Sequence, residues 1–155
     1  MHDGSPLEDY PKTVVLTDGT HVTLRPALAD DRGRLEALRA RAGGFETRQG
    51  AVVILAVVDQ RAVGALVIER SERGDGSLGV ALDPDYCGRR LGTWMLLDAV
   101  HLATDMGLDG LVVRAARDQA DLGVALDRLD FRSDGVGADG STVFRKTLHR
   151  GWPGF

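Results

Sequence analysis

The stretch Leu82-Asp-Pro-Asp-Tyr-Cys-Gly-Arg-Arg-Leu-Gly-Thr-Trp-Met-Leu-Leu97 holds the residues best suited to chemistry. An apolar run ends at Asp83-Pro84, and apolar residues then recur three or four apart, so a glycine-bearing turn feeds a helix. Main-chain N–H groups at a helix start have no acceptor within the helix and lie at the positive end of its dipole, which makes them a cradle for an anion. Gly88 and Gly92 let the backbone come close to a ligand, Thr93 supplies a hydroxyl, and Arg89 and Arg90 add charge. A pyrophosphate suits this pattern. The Gly-x-Gly-x-x-Gly order is absent and no Gly-Lys-Ser/Thr follows, so the dinucleotide fingerprint and the P-loop both fall.

Other reactive side chains have plainer readings. Cys87, the one cysteine, cannot form an internal disulfide; at a helix start beside Arg89 it is either an acidified thiolate or, as expected here, a packed and inert residue. His2, His21, His101 and His149 show no metal-ligand spacing. His101 shares the less apolar side of the long helix with Trp94, Asp98 and Asp105, which predicts a solvated or salt-linked surface histidine rather than a catalytic one. Asp118 reads as a helix cap. The tail 151–155 is expected to pack on the sheet or fray.

The bulk composition excludes whole classes of function. Net charge is −4, from 19 basic and 23 acidic side chains in 155 residues, so nothing drives binding to nucleic acid. Only Lys12 and Lys146 are lysines; arginine makes up the rest of the basic set and suits a local anion site. Charges interrupt every apolar run before the roughly 18 residues of a membrane helix, and 1–9 has no basic-then-apolar leader, so a cytoplasmic protein without membrane contact is expected.

Positioning the turn is the task of a layered domain. The stretches 13–17 and 20–25 alternate β-branched residues around Asp18-Gly19, a two-residue hairpin signal. Asp30 or Asp31 can cap a helix over about 29–42, with Leu28, Leu35, Leu38 and Ala42 inward and Gly43-Gly44 as its stop. Strands are predicted at 51–58, 62–68 and 77–82, and a long helix over 89–106 with Leu91, Met95, Leu96, Ala99, Leu102, Ala103 and Met106 inward. After Gly107 come a short strand at 111–114, a helix over 119–129 with Leu122, Ala125, Leu126 and Leu129 inward, and a last strand at 141–148. The order predicts one α/β (α+β layered) domain with one crossover that can carry a parallel pair.

The turn resembles the GNAT superfamily of acyl-CoA-dependent N-acyltransferases, whose hallmark Gln/Arg-x-x-Gly-x-Gly/Ala aligns with Cys87-Gly-Arg-Arg-Leu-Gly92. A later signature, Asp-Asn before a helix ending in Leu-Gly-Phe, aligns with Asp118-Gln119 and Leu129-Asp130-Phe131. The likeness spans about 20–148, and the segment from Tyr10 to Pro26 is similar to the start of bacterial domains that acylate protein lysines. It implies a mixed, mostly antiparallel twisted sheet flanked by helices. It also implies acetyl-CoA or another acyl-CoA as donor, and a primary amine, on a small molecule or a protein lysine, as acceptor; a homodimer or a partner protein is compatible.

Carried over by position, the resemblance puts the pyrophosphate on Cys87, Gly88, Arg89, Arg90, Leu91, Gly92 and Thr93, with Gln119 also against the cofactor. Main chain of Val80 and Leu82 would pair with the pantetheine, and the N–H near Ala81 would face the thioester oxygen. Cys87, Arg90 and Asp130 replace the usual Gln/Arg, Gly and Gly. Arg90 can still donate to phosphate, and only a left-handed backbone there would exclude it strongly. Ser77 stands where lysine-acylating members carry a Glu base and Leu126 where many carry a Tyr acid, both expected at a cleft edge. Water held by Ser77, Asp75 or Glu72 is then the proton acceptor. Without its acid and base the chain also fits a non-catalytic CoA-binding module.

Overall fold

The structure, a computed structural model, describes residues 7, 9–42, 50–115 and 120–148. Eight strands form one sheet: β1 (Lys12–Val15), β2 (His21–Pro26), β3 (Val52–Val58), β4 (Arg61–Arg70), β5 (Gly76–Leu82), β6 (Gly110–Ala115), β7 (Arg132–Val136) and β8 (Thr142–Thr147). Three helices pack on it: α1 (Arg32–Ala42), α2 (Leu91–Asp105) and α3 (Ala120–Arg128). The strand order is β1-β2-β3-β4-β5-β6-β8-β7, and each neighbouring pair is antiparallel except β5 with β6, which the α2 crossover makes parallel. This is the expected mixed, mostly antiparallel sheet flanked by helices.

Turn chemistry sets the register. The loop Leu16 to Thr20 is a three-residue hairpin rather than the expected two-residue one: Leu16 N–H donates to Thr20 C=O, Gly19 N–H to Leu16 C=O, and Gly19 takes φ +90. Gly74 and Gly140 repeat this device in the β4–β5 and β7–β8 hairpins. Between β3 and β4, Asp59 and Gln60 both have positive φ, the two-residue turn whose twist matches its strands.

Alternation along the strands splits the core in two. One face carries Ile54, Leu66, Ile68, Leu78 and Val113 against α2 and α3, whose inward stripes include Leu91, Met95, Leu96, Leu102 and Leu126. The other carries Leu55, Ala65 and Ala81 against Leu38 of α1. Leu35 and Ala42 join Leu38, but Leu28 is 63% exposed, because the chain is still in an extended conformation there and the apolar stripe starts one turn later. The Gly43-Gly44 stop, His2, His149 and the tail 151–155 lie outside the described residues.

Context decides two features that the local pattern does not. Strand β7 has no apolar alternation and every residue of it is exposed, yet it pairs with β8 through Arg132↔Arg145, Ser133↔Phe144, Gly135↔Val143 and Val136↔Thr142. Backbone pairing at the sheet edge is enough to make it a strand. Asp98, on the less apolar side of α2, is nonetheless 7% exposed, accepting from Tyr10 Oη and from Lys12 Nζ at 2.7 Å. Burial, and then the bond to Asp98, push the Tyr10 hydroxyl well above the usual phenol range, so Tyr10 stays a donor and ties the start of β1 to α2. Trp94, His101 and Asp105 are exposed, as expected.

Candidate active site

Among the described residues, β5 pairs with β6 at Gly76↔Leu111, Ser77↔Val112 and Leu78↔Val113, and the ladder stops there. From Gly79 to Leu82 the β6 side of β5 is therefore an open edge. Which amides face it follows from the β4 ladder, because antiparallel neighbours alternate between bonded and non-bonded pairs. Asp83 N–H donates to Val63 C=O at 2.8 Å, and at the other end of the ladder Ser71 N–H donates to Asp75 C=O. Both belong to the register that contains Ala65↔Ala81. The Ala81 N–H thus points at β4, while those of Val80 and Leu82 point across the open edge. This corrects the placement at Ala81: its amide is used by the sheet, and Ala81 itself is 5% exposed under α1.

The chain leaves β5 through Asp83 and a single 3-10 turn, Pro84–Tyr86, before α2 begins. Asp83 is 1% exposed; its carboxylate accepts the Asp85 N–H at 2.9 Å and lies 2.9 Å from Arg41 Nε and 3.4 Å from Arg61 Nη2. One carboxylate therefore joins the end of α1, the start of β4 and the turn. Sequence reasoning took Asp83 only as a strand end, since its partners stand far from it in the chain.

Gly88 has φ +80 and Arg90 φ +68, and Leu91 opens α2 with its side chain fully buried. Among the described residues no side chain caps this helix; Trp94 N–H donates to Arg90 C=O, so the N–H groups of Leu91, Gly92 and Thr93 precede the first intrahelical bond. The backbone at Arg90 is left-handed, the one condition expected to exclude it from the phosphate site; the turn takes that conformation where α2 starts, and Arg90 carries its strain with the side chain outside. A left-handed non-glycine costs roughly 1 to 2 kcal/mol. Arg90→Gly should stabilise the protein by about 1 kcal/mol, read as a higher denaturant midpoint, once the extra entropy of unfolded glycine is deducted.

Arg89 Nη1 lies 3.1 Å from Asp18 Oδ2 at the β1–β2 tip, with its guanidinium 4.9 Å from the Tyr86 ring centre. The Asp18 carboxyl is held below its ordinary range, first by the Thr20 backbone N–H and to a lesser degree by Arg89. Cys87 is exposed rather than packed, because the turn presents it outward, with Sγ 3.8 Å from Asp83 C=O. Gly92 and Thr93 are half-buried in the first turn of α2. Ser77 is exposed on the α1 face of β5. Leu126 is not at a cleft edge: it is 0% exposed in the core with Phe131, because α3 turns that position inward. Asp118 and Gln119 lie outside the described residues.

No protein-family model and no curated protein sequence matches the chain. Solved structures do. The GNAT domain of S. lividans PAT superposes with TM-score 0.79 at 13% identity, covering 91% of this chain and 98% of that one. The ribosomal-protein-S18-alanine N-acetyltransferase from Escherichia coli gives 0.71 at 14% identity, over 86% and 99%. An acetyltransferase of the GNAT family from Streptococcus pneumoniae gives 0.69 at 14%, over 83% and 99%. The chain has the GNAT fold.

Proposed function

We propose that the chain is an acyl-CoA-dependent N-acyltransferase, with acetyl-CoA as the default donor and a primary amine, on a small molecule or a protein lysine, as acceptor. The observation that carries this reading is the uncapped start of α2 at the end of an open strand edge. Amides of Leu91, Gly92 and Thr93 suit a pyrophosphate, and those of Val80 and Leu82 suit an extended, amide-bearing arm running up to it. The fit is one of chemistry: donors without an acceptor among the described residues meet a ligand rich in acceptors.

A bound acyl-CoA supplies an activated acyl carbon and a leaving thiolate. This chain would hold the donor along β5, leave the acyl group against an open-edge N–H that strengthens its bond as negative charge grows on the carbonyl oxygen, and admit the amine from the α1 face. Calorimetric titration with CoA and acetyl-CoA tests the reading, and no binding at millimolar concentration removes it. A Cβ at Gly92 would meet only Leu82 Cδ2, at 3.7 Å, so the fold accepts a side chain there. Gly92→Val should then stay folded and bind CoA at least about tenfold more weakly, the loss of one or two charge-assisted hydrogen bonds. Unchanged affinity would make the turn purely structural.

The buried Leu126, which puts no hydroxyl near a leaving thiolate, favours a second reading: a CoA-binding module without turnover. CoA binding with no thiol release over a panel of amines would select it.

A further inference from the structure

We propose that Glu69 receives the proton of the incoming amine, doing from β4 what Ser77 cannot do from β5. The inference rests on the acyl-transfer reading above. Glu69 and Ser77 are direct cross-strand partners, so their side chains leave the same face of the sheet about 5.5 Å apart at Cα. That face is the α1 face, and the pair stands one rung, about 7 Å, before Gly79, where β5 and β6 part. A Cβ built at Gly79 meets nothing within 4 Å, so the sheet has an open floor between this pair and the Val80–Leu82 amides.

Asp75 and Arg114 are engaged elsewhere. Asp75 is 2.8 Å from Arg145, which also faces Asp134 at 3.6 Å. Arg114 leans to the β7–β8 turn, where it helps hold the Asp139 carboxyl below its ordinary range, behind the stronger hydrogen bonds from Ser141. Glu69 is half-buried and, among the described residues, has no hydrogen bond or ion pair. Glu72, on the exposed loop between β4 and β5, and Asp75, held by Arg145, are displaced as the water-holding groups expected from sequence. A carboxylate with no partner among the described residues, beside an open floor, attracts an ammonium and can deprotonate it through one water.

The ammonium gives one proton to Glu69 and becomes a neutral amine; its nitrogen bonds to the acyl carbon as the C–S bond breaks. The second proton, lost from that nitrogen as the amide forms, ends on the CoA thiolate, and Glu69 returns its proton to water.

The test uses acetyl-CoA with a lysine peptide, putrescine and phenethylamine, followed by thiol release, with the best acceptor then used throughout. Glu69→Gln, equal in shape, should lower kcat about 10²-fold with acceptor KM and CoA affinity changed less than threefold. Glu69→Asp should fall between. The cross-strand exchange Glu69→Ser with Ser77→Glu should restore at least a tenth of wild-type kcat, which a merely structural Glu69 would not allow. A fully active Glu69→Gln protein overturns the proposal, and so does a wild type that binds CoA but acylates none of the three amines. A wild type that binds no CoA removes the acyl-transfer reading itself.

Discussion

Asp31→Ala is expected to lower the unfolding free energy by about 3 kcal/mol. Asp31 is fully buried, and its two oxygens take both ends of the Arg25 guanidinium at 2.7 and 2.8 Å, the Leu28 N–H at 2.7 Å and Arg34 at 3.3 Å. Removing one partner of a buried ion pair costs roughly 3 to 5 kcal/mol, because the other charge is left without compensation. The low end applies here, since Arg25 and Arg34 keep 26% and 32% of their side-chain exposure and can turn to water. The Arg25 hydrogen bonds, more than any other cause, hold the Asp31 carboxyl down at about 2. A depressed carboxyl stabilises the fold above its unfolded value near 4 and loses that contribution as pH falls through the folded value. The gap between wild type and Asp31→Asn, read by urea denaturation, should be constant from pH 7 to 5 and shrink from pH 4 toward pH 2. A constant gap down to pH 2, or an Ala variant as stable as wild type, would show that the pair does not set the angle at which β2 enters α1.

What the sequence made legible follows from where each signal is stored. Leu91, Met95, Leu96, Ala99, Leu102 and Ala103 are buried as their spacing predicts, because one helix face answers one core. The same holds for the strands whose hydrophobic alternation meets a helix layer. Edge strand β7 was illegible because its order comes from pairing with β8 and not from its own side chains. The burial of Asp98 and Asp83 was not legible, since the groups that bury them, Tyr10 with Lys12 and Arg41 with Arg61, stand tens of residues away. Within the site, the motif window located the turn, but the direction of each β5 amide depends on ladder phase, which one hydrogen bond at Asp83 decides and no residue type encodes. Gly88 and Arg90 share one backbone requirement, and only the glycine advertises it.

The phase-setting residue is also where stability and ligand binding should prove coupled. Asp83→Ala removes the acceptor of the Asp85 N–H and the common partner of Arg41 and Arg61. With those arginines 39% and 57% exposed, the stability loss should be about 2 kcal/mol, below that of a pair sealed from water. The effect on CoA should be larger than stability alone suggests, because the 3-10 turn Pro84–Tyr86 orients Gly88, Arg90 and the α2 amides behind it. Misplacing a preorganised set of donors should weaken CoA at least tenfold in a protein that is still folded at the temperature of the titration. Asp83→Asn separates the two roles. Its side-chain oxygen still accepts from Asp85, so the turn survives and CoA affinity should return to within threefold of wild type, while the charge that held Arg41 and Arg61 is gone and most of the stability loss remains. If Asn and Ala weaken CoA equally, the ion pairs rather than the turn bond position the cradle. If Ala leaves CoA affinity untouched, Asp83 is a structural tether between α1 and β4, and the α2 amides are held in place by the burial of Leu91 alone.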